Sequence, residues 1–125
     1  GASTSWTFVD AQISGGENDG NRVPLAPWAN GILSGWVRPV DQLHLTLFYT
    51  YVSEQYQGGD MENDDRKMDA YGLLGFRANI AMSKRANLYI LMDNLLDEPY
   101  ATSAYSGAFY PGAGRSFRIG MNVEL

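Results

Sequence analysis

The stretch GRSFRIGMNVEL, residues 114–125, alternates apolar and polar side chains without interruption. Its odd positions from Phe117 to Leu125 are apolar, while its even positions from Ser116 to Glu124 are polar or glycine. Successive side chains of a β-strand point to opposite faces, so the stretch predicts a strand with one apolar face. That face packs either on a protein core or on lipid, and the two possibilities lead to different functions.

Five further segments have a strand-like pattern. In the first, residues 2–13, the face is uncertain, because Trp6 and Phe8 share one parity whereas Val9 and Ile13 share the other. The remaining segments, each bounded by turn-forming residues, cover residues 28–38, 43–56, 70–80 and 87–93. The sequence therefore predicts an all-β fold, an antiparallel up-and-down meander of about six strands.

The connections between these segments alternate in length. Short turns join the second segment to the third and the fourth to the fifth, whereas long polar loops make the other three connections. Outer-membrane barrels have short turns on one side and long loops on the other. A soluble meander with one functional rim has the same asymmetry, so both architectures stay open.

Composition excludes several classes of protein. No run of 18 apolar residues occurs in the 125-residue chain, which excludes a transmembrane helix. The net charge of −5 argues against nucleic acid as a partner, because phosphate binding requires a basic patch. The absence of cysteine excludes disulfide bonds and thiolate chemistry.

The residues on the polar sides of the segments indicate that the apolar sides contact lipid rather than a protein core. They hold hydroxyls, amides and glycines with few charges, which suits the interior of a membrane barrel better than an open surface. In the third segment an aliphatic centre is followed by Tyr49 and Tyr51, as in the aromatic girdle of a barrel. The pattern favours part of a transmembrane β-barrel, with a soluble all-β domain as the alternative.

Three stretches carry specific motifs in addition to the alternation of apolar and polar residues. NLYILMDNLLDEPY (residues 87–100) resembles the penultimate-strand motif of TonB-dependent outer-membrane receptors, in which an Asn-Leu pair, an acidic residue and a Tyr follow an alternating strand. YPGAGRSFRIGMNVEL (residues 110–125) is similar to the closing strand of that family, and GNRVPLAPWANGILSGWV (residues 20–37) to a loop that feeds a strand at the outer rim. Two positions depart from the family: Leu125 replaces a terminal aromatic residue, and Trp28 replaces a basic residue or histidine.

The resemblance implies a plugged barrel of about 22 strands. Residues 1–125 would form the C-terminal part of that barrel, without the plug, as a fragment, a separate piece or a split subunit. The implied function is energy-coupled uptake of a scarce nutrient, such as a siderophore-iron chelate or cobalamin, in the bacterial outer membrane. The implied partners are the lipid bilayer, the remaining strands and plug, the TonB complex and a small chelate ligand, with no nucleic acid and no cofactor. The alternative is a small soluble or oligomerising structural module.

Candidate site residues fall into three groups. Aromatic residues in the last long loop are candidates for substrate contact, because such loops close over ligands in the family, although an interface cluster explains them equally well. Four residues on the polar sides of the strands are predicted to face the barrel lumen. The contact candidates are Tyr100, Tyr105, Phe109 and Tyr110, and the lumen candidates are His44, Arg77, Asp93 and Arg118.

The third group is an acidic loop, whose alternating carboxylates suggest a weak Ca²⁺ candidate. The loop lacks the glycine and the closing Glu of a helix-loop-helix calcium site, so a solvated external loop is the preferred interpretation. No serine-centred triad, phosphate-binding glycine loop or histidine cluster is present, and the sequence does not predict an enzyme. The calcium candidates are Asp60, Glu62 and Asp64.

Overall fold

The computed structural model describes residues 1–124 of the chain. Leu125, the last residue of the predicted closing strand, lies outside the described residues. The described part contains eight β-strands and no helix long and apolar enough to cross a membrane. The strands are β1 (Ala2–Phe8), β2 (Ala29–Val40), β3 (Leu43–Val52), β4 (Tyr71–Ser83), β5 (Ala86–Asp93), β6 (Ala101–Tyr105), β7 (Ala108–Pro111) and β8 (Ser116–Val123).

Six strands form one antiparallel sheet in the order β1-β2-β3-β4-β5-β8. Each strand pairs with the previous strand of the sheet, which is the predicted up-and-down meander. The other two strands, β6 and β7, form a hairpin within the last long loop, and the sequence analysis did not predict it. The all-β prediction with six sheet strands is confirmed.

The register places most of the large apolar side chains of the sheet on one face, called here the apolar face. On it, Leu47 lies opposite Phe76, and Ile90 lies opposite both Ala78 and Ile119. These side chains cover no protein core, since Leu47 is 48% exposed and Ile119 is 60% exposed. The large residues of the apolar face are Trp6, Phe8, Leu33, Val37, Leu43, Leu45, Leu47, Tyr49, Tyr51, Leu74, Phe76, Ile80, Leu88, Ile90, Met92, Phe117, Ile119, Met121 and Val123.

The opposite face, called here the polar face, carries hydroxyl, amide and a few charged side chains among some apolar ones. Ser3 lies opposite Ser34, and their hydroxyls are hydrogen-bonded at 2.8 Å. All four predicted lumen residues lie on this face by register: His44, Arg77, Asp93 and Arg118. Whether this face lines a lumen depends on the closure of the barrel, so the lumen assignment stays a prediction.

Aromatic rings gather where the apolar face meets the long loops. The ring of Trp6 lies 6.4 Å from that of Phe8 and 6.1 Å from that of Tyr51, and Phe8 stacks on Trp28 at 6.5 Å. These four residues are called here the aromatic band. The band lies at one end of the aliphatic surface, as expected for side chains at a membrane-water interface.

Several strands differ in length from the predictions. Strand β1 ends at Phe8 rather than near residue 13, because the backbone beyond it pairs within its own loop, where Ile13 N donates to Asn21 O at 2.8 Å. The shorter strand removes the uncertainty about its face, since Trp6 and Phe8 lie on the apolar face. Strand β3 ends at Val52 instead of extending to residue 56, and β4 continues to Ser83.

The most buried residues lie mainly at the loop end of the sheet. Met68 and Ala104 are 1% and 0% exposed, and Gln57 and Asp60 are 2% and 5% exposed. All four belong to two of the three long connections, residues 9–28 (loop A), 53–70 (loop B) and 94–115 (loop C, which contains β6 and β7). The three loops are called here the loop cap, and they hold most of the packed interior of the molecule.

Candidate functional site

Loops A and B are joined by the side chain of Asn63. Its Oδ1 accepts from Arg22 N at 2.6 Å, and its Nδ2 donates to Arg22 O at 3.0 Å and to Asp60 O at 3.1 Å. Asn63 has a positive φ of 59°, a conformation that asparagine adopts more easily than most residues. A second connection runs from Leu25 N to Tyr56 O at 3.0 Å. Loop A is therefore fixed against loop B.

Loops B and C are joined by Gln57. Its Nε2 donates to Arg66 O at 2.6 Å within loop B, and its Oε1 accepts from Gly107 N at 2.8 Å in the β6–β7 turn. Beside it, Gly58 N donates to Ala104 O at 2.7 Å. Both polar atoms of the buried Gln57 side chain have hydrogen-bond partners, so burying this amide leaves no polar group unpaired. The hairpin of loop C thus lies against loop B.

Loop C begins with a turn that explains one of the recognised motifs. Asn94 is 4% exposed, and its side chain bonds the backbone of Glu98 at both N (2.8 Å) and O (3.0 Å), and of Ala113 at O (3.2 Å). Asp97 Oδ1 accepts from Arg115 N at 2.8 Å. The Asn and Asp of NLLDEPY therefore connect the start of loop C to its end, just before β8.

A rim pocket of about 300 Å³ lies between loops B and C. The ring of Tyr71 packs on that of Tyr100 at 4.5 Å, and the guanidinium of Arg66 lies 5.5 Å from the centre of the Phe109 ring. The guanidinium also lies 3.3 Å from Asp69 Oδ2, so the pocket offers aromatic surface and a cation that an anionic ligand shares with an exposed carboxylate. The lining residues are Arg66, Asp69, Ala70, Tyr71, Pro99, Tyr100, Ala101, Phe109 and Pro111.

The Tyr100 ring has its place in this pocket because Gly112 has no side chain. A Cβ at Gly112 would lie 2.0 Å from Cζ of Tyr100, which no real contact allows. Gly112 N also donates to Tyr100 O at 2.8 Å. The backbone and the ring of Tyr100 are thus both positioned by the residue that follows β7.

Two of the four predicted contact residues, Tyr100 and Phe109, line the rim pocket, and the other two do not. Tyr105 packs over Gly58, and its ring meets that of Tyr110 at 6.4 Å in an edge-to-face arrangement. Both of those rings are about half exposed. The sequence analysis missed Arg66 and Tyr71, which come from the other side of the pocket and share no local motif with loop C.

The lumen candidates differ in how their charges are paired. Arg118 Nη2 donates to Asp93 Oδ2 at 2.8 Å across β8 and β5. Arg77 lies between Thr46 and Leu91 in the register, and among residues 1–124 it has no salt bridge. His44 Nε2 is buried without a hydrogen-bond partner in the described chain. These positions stay candidates for contacts with whatever fills the space next to the polar face.

The acidic loop uses its first carboxylate for its own backbone. Asp60 Oδ1 accepts from Asp64 N at 3.1 Å, and its Oδ2 accepts from Asp65 N at 3.3 Å. Within residues 1–124, no group of three or more metal-binding side chains comes together. Glu62 and Asp64 do not join Asp60 in such a group, and calcium binding stays an untested prediction.

No family model matches the sequence, but individual proteins do. The vitamin B12 transporter BtuB of Vibrio vulnificus (strain YJ016) is 35% identical over 71 residues, which are 56% of this chain and 12% of that protein. The siderophore receptor PiuA of Acinetobacter baumannii has a TM-score of 0.81 and 23% identity, over 98% of this chain and 19% of PiuA. The closed form of the ferric-catecholate import receptor Fiu of E. coli K12 has a TM-score of 0.82 and 19% identity, over 98% and 18%.

The chain resembles a segment of TonB-dependent receptors, in sequence over 56% of its length and in fold over nearly all of it. A third structure, the ferric yersiniabactin uptake receptor FyuA of Yersinia pestis, agrees with a TM-score of 0.69 and 25% identity over 85% of the chain and 17% of FyuA. These findings confirm the recognised resemblance and the predicted barrel fold. The chain spans less than a fifth of the length of each of these proteins. All of them are transporters or receptors by name, and none is an enzyme.

Proposed function

We propose that this segment forms part of the wall of a bacterial outer-membrane barrel. The observation that carries the proposal is the exposed apolar face, which ends in the aromatic band at the loop cap. Lipid covers such a surface without leaving polar groups unsatisfied, because the strands pair their backbones with one another. The polar face then turns to the barrel interior, where the remaining strands and a plug of the same receptor complete the structure.

The activity that fits this wall is energy-coupled uptake of a scarce nutrient, a siderophore-iron chelate or cobalamin. The named ligands of the relatives support this class of substrate: a siderophore for PiuA, a ferric catecholate for Fiu, ferric yersiniabactin for FyuA and vitamin B12 for BtuB. The energy would come from the TonB complex through the plug. The net charge of −5 keeps nucleic acid out of the set of expected partners.

The rim pocket is the proposed contact of this segment with the ligand. Tyr71, Tyr100 and Phe109 supply ring faces, and Arg66 supplies a cation, in a place where Gln57 hydrogen-bonds loop B to loop C. Stacking and cation-π contacts suit the aromatic and anionic groups of iron chelates. Tyr105 and Tyr110 lie outside the pocket and are not part of this proposed contact.

A soluble all-β module is not favoured. Such a module would bury its apolar face, whereas here Leu33, Ile119 and Met121 are all at least half exposed. An uncovered apolar surface of this extent marks a contact with lipid or another protein. Oligomerisation in water would have to cover the whole width of the sheet.

Trp6 and Trp36 offer a direct test, because they lie on opposite faces of the sheet. Each is kept as the only tryptophan, with Phe at the other two positions, and the full chain is reconstituted in vesicles whose acyl chains carry bromine. We expect strong quenching of Trp6 fluorescence and little quenching of Trp36. Equal quenching of the two, or quenching of neither, would contradict the membrane assignment.

Ligand binding is tested separately by titrating a ferric catecholate and cyanocobalamin into the full chain in detergent. We expect Tyr100→Ala and Phe109→Ala to weaken binding of the preferred ligand by roughly tenfold each, about 1.4 kcal/mol. Tyr110→Ala, which changes a ring outside the pocket, serves as the matched control. Equal losses in all three variants would exclude the rim pocket as the contact.

A further inference from the structure

A groove lies next to the aromatic band, on the surface of loops A and B. Two cavities of about 280 and 350 Å³ adjoin there and share Arg22 and Trp28 in their walls. Trp28 stacks on Phe8, which stacks on Trp6, so a continuous series of rings leads from the groove to the apolar face. The groove therefore begins where the proposed lipid contact ends.

Two cations stand in this groove, each beside a carboxylate. Arg22 Nη1 lies 3.3 Å from Asp10 Oδ1, and Lys67 Nζ lies 2.7 Å from Glu54 Oε1. The carboxylates are the more exposed partners, at 70% and 53% against 48% and 41% for the cations. Exposed ion pairs of this kind contribute little to stability, so either carboxylate can turn into water and leave its cation to another anion.

The backbone holds both cations in place. Asn63 bonds both the N and the O of Arg22, as described for the loop cap. Met68, which follows Lys67, is buried and exchanges two backbone hydrogen bonds with Gln55, at 2.8 and 3.2 Å. A site whose charges stand on fixed backbone loses less conformational entropy on binding than one carried by mobile loops.

The surroundings of Lys67 keep it charged. Its hydrogen bond to Glu54 raises the pKa of the ammonium above the ordinary value, and this effect exceeds that of partial desolvation. The ammonium also lies 4.9 Å from the centre of the Tyr56 ring. Lys67 is therefore a cation at any physiological pH, with an aromatic ring beside it.

We propose that this groove binds the phosphate of a membrane lipid headgroup. Arg22 and Lys67 donate hydrogen bonds to the phosphate, and Trp28 packs on the part of the lipid that joins the headgroup to the acyl chains. Aromatic side chains lie at the level of the headgroups, and basic residues next to them attract anionic lipids. Hydrogen bonds from charged donors to phosphate are short and strong. The proposal rests on the membrane assignment made above, and it adds a lipid ligand separate from the nutrient at the rim pocket.

The test compares two variants that each remove two positive charges. Arg22→Gln combined with Lys67→Gln changes the groove, while Arg115→Gln combined with Arg118→Gln changes cations outside it. Native mass spectrometry then counts the phosphatidylglycerol molecules that the full chain retains from mixed micelles. We expect the groove variant to lose affinity for this lipid at least tenfold and the control variant to match the unchanged chain.

The outcomes separate this proposal from the membrane assignment. Equal retention by both variants and the unchanged chain, with Trp6 still quenched by brominated lipid, would overturn the headgroup proposal alone. Failure of the Trp6 quenching would overturn both. If millimolar inorganic phosphate displaces the lipid completely, the groove is a site for free phosphate and the proposed lipid source is wrong.

Discussion

The six-stranded sheet and the loop cap are stabilised in opposite ways. In the sheet, backbone pairing supplies the order, and the large side chains of the apolar face point away from the molecule, toward lipid in the proposed membrane setting. In the loop cap, buried amides and carboxylates such as Gln57 and Asp60 satisfy backbone groups, and the interior excludes solvent without help from lipid. On the proposed membrane assignment, the comparison shows how one chain suits two solvents, with the aromatic band at the boundary.

The largest expected effect comes from placing a charge on the apolar face. Leu33 and Ser34 are neighbours at the middle of β2 and point to opposite faces. We expect Leu33→Arg to lower the free energy of unfolding in a bilayer by about 2–4 kcal/mol, the cost of arginine at the lipid midplane. Chemical denaturation of the chain in lipid vesicles measures this change in the free energy of unfolding.

Ser34→Arg is the matched control, because it introduces the same charge at the same depth but on the polar face. We expect its effect to be below about 1 kcal/mol. If the two variants lose the same stability, the two faces do not differ in solvent and the comparison fails.

The next effect concerns the buried amide that joins loops B and C. We expect Gln57→Ala to cost about 1–3 kcal/mol, because Gly107 N and Arg66 O lose their partner in a buried place. The loss is local, so it should appear as faster hydrogen exchange at Gly107 and faster proteolysis of loop B. Gln42→Ala changes an exposed glutamine in a short turn and should leave both rates unchanged.

A third effect concerns the position of the Tyr100 ring. We expect Gly112→Ala to displace this ring from the rim pocket, at a cost of about 1–3 kcal/mol for the overpacked contact. The readout is loss of ligand binding together with a shift of the Tyr100 ring resonances. Gly35→Ala is a suitable control, since its nearest contact would be an ordinary 3.9 Å. Unchanged Tyr100 signals in the Gly112 variant would show that the ring does not depend on Gly112.

The smallest effect is expected for the ion pair on the polar face. The side chains of Arg118 and Asp93 are 65% and 38% exposed in this segment, and exposed pairs are worth about 0–1 kcal/mol. A double-mutant cycle with Arg118→Gln and Asp93→Asn measures the coupling. A coupling well above that range would mean that another element covers the pair and excludes water from it.

The strands of the sheet were predictable because a two-residue period is a local property. Residues 114–125 predicted β8 and its apolar face. The recognised motifs then predicted that the strands belong to a barrel like that of TonB-dependent receptors. The end of β1 was not predictable, since residues 9–13 keep a strand-like composition but pair within loop A. The hairpin of β6 and β7 was missed because its residues carry no regular alternation.

The site was only partly predictable. The aromatic residues of loop C were predicted as substrate contacts because they are numerous in that loop. Two of them, Tyr100 and Phe109, line the rim pocket. Arg66 and Tyr71 depend on how loop B lies against loop C, and that packing is set by Gln57, a residue type that gives no signal in a sequence. Contacts between distant loops follow from tertiary structure, which the local pattern does not contain.

The sheet contains an even number of strands, and its edge strands β1 and β8 run in opposite directions. The chain therefore enters β1 and leaves β8 on the same side, the side of the short turns. A block of this kind is topologically self-contained. Because it returns the chain to the side it came from, it can be duplicated, exchanged or inserted in a larger wall without turning the following strands inside out.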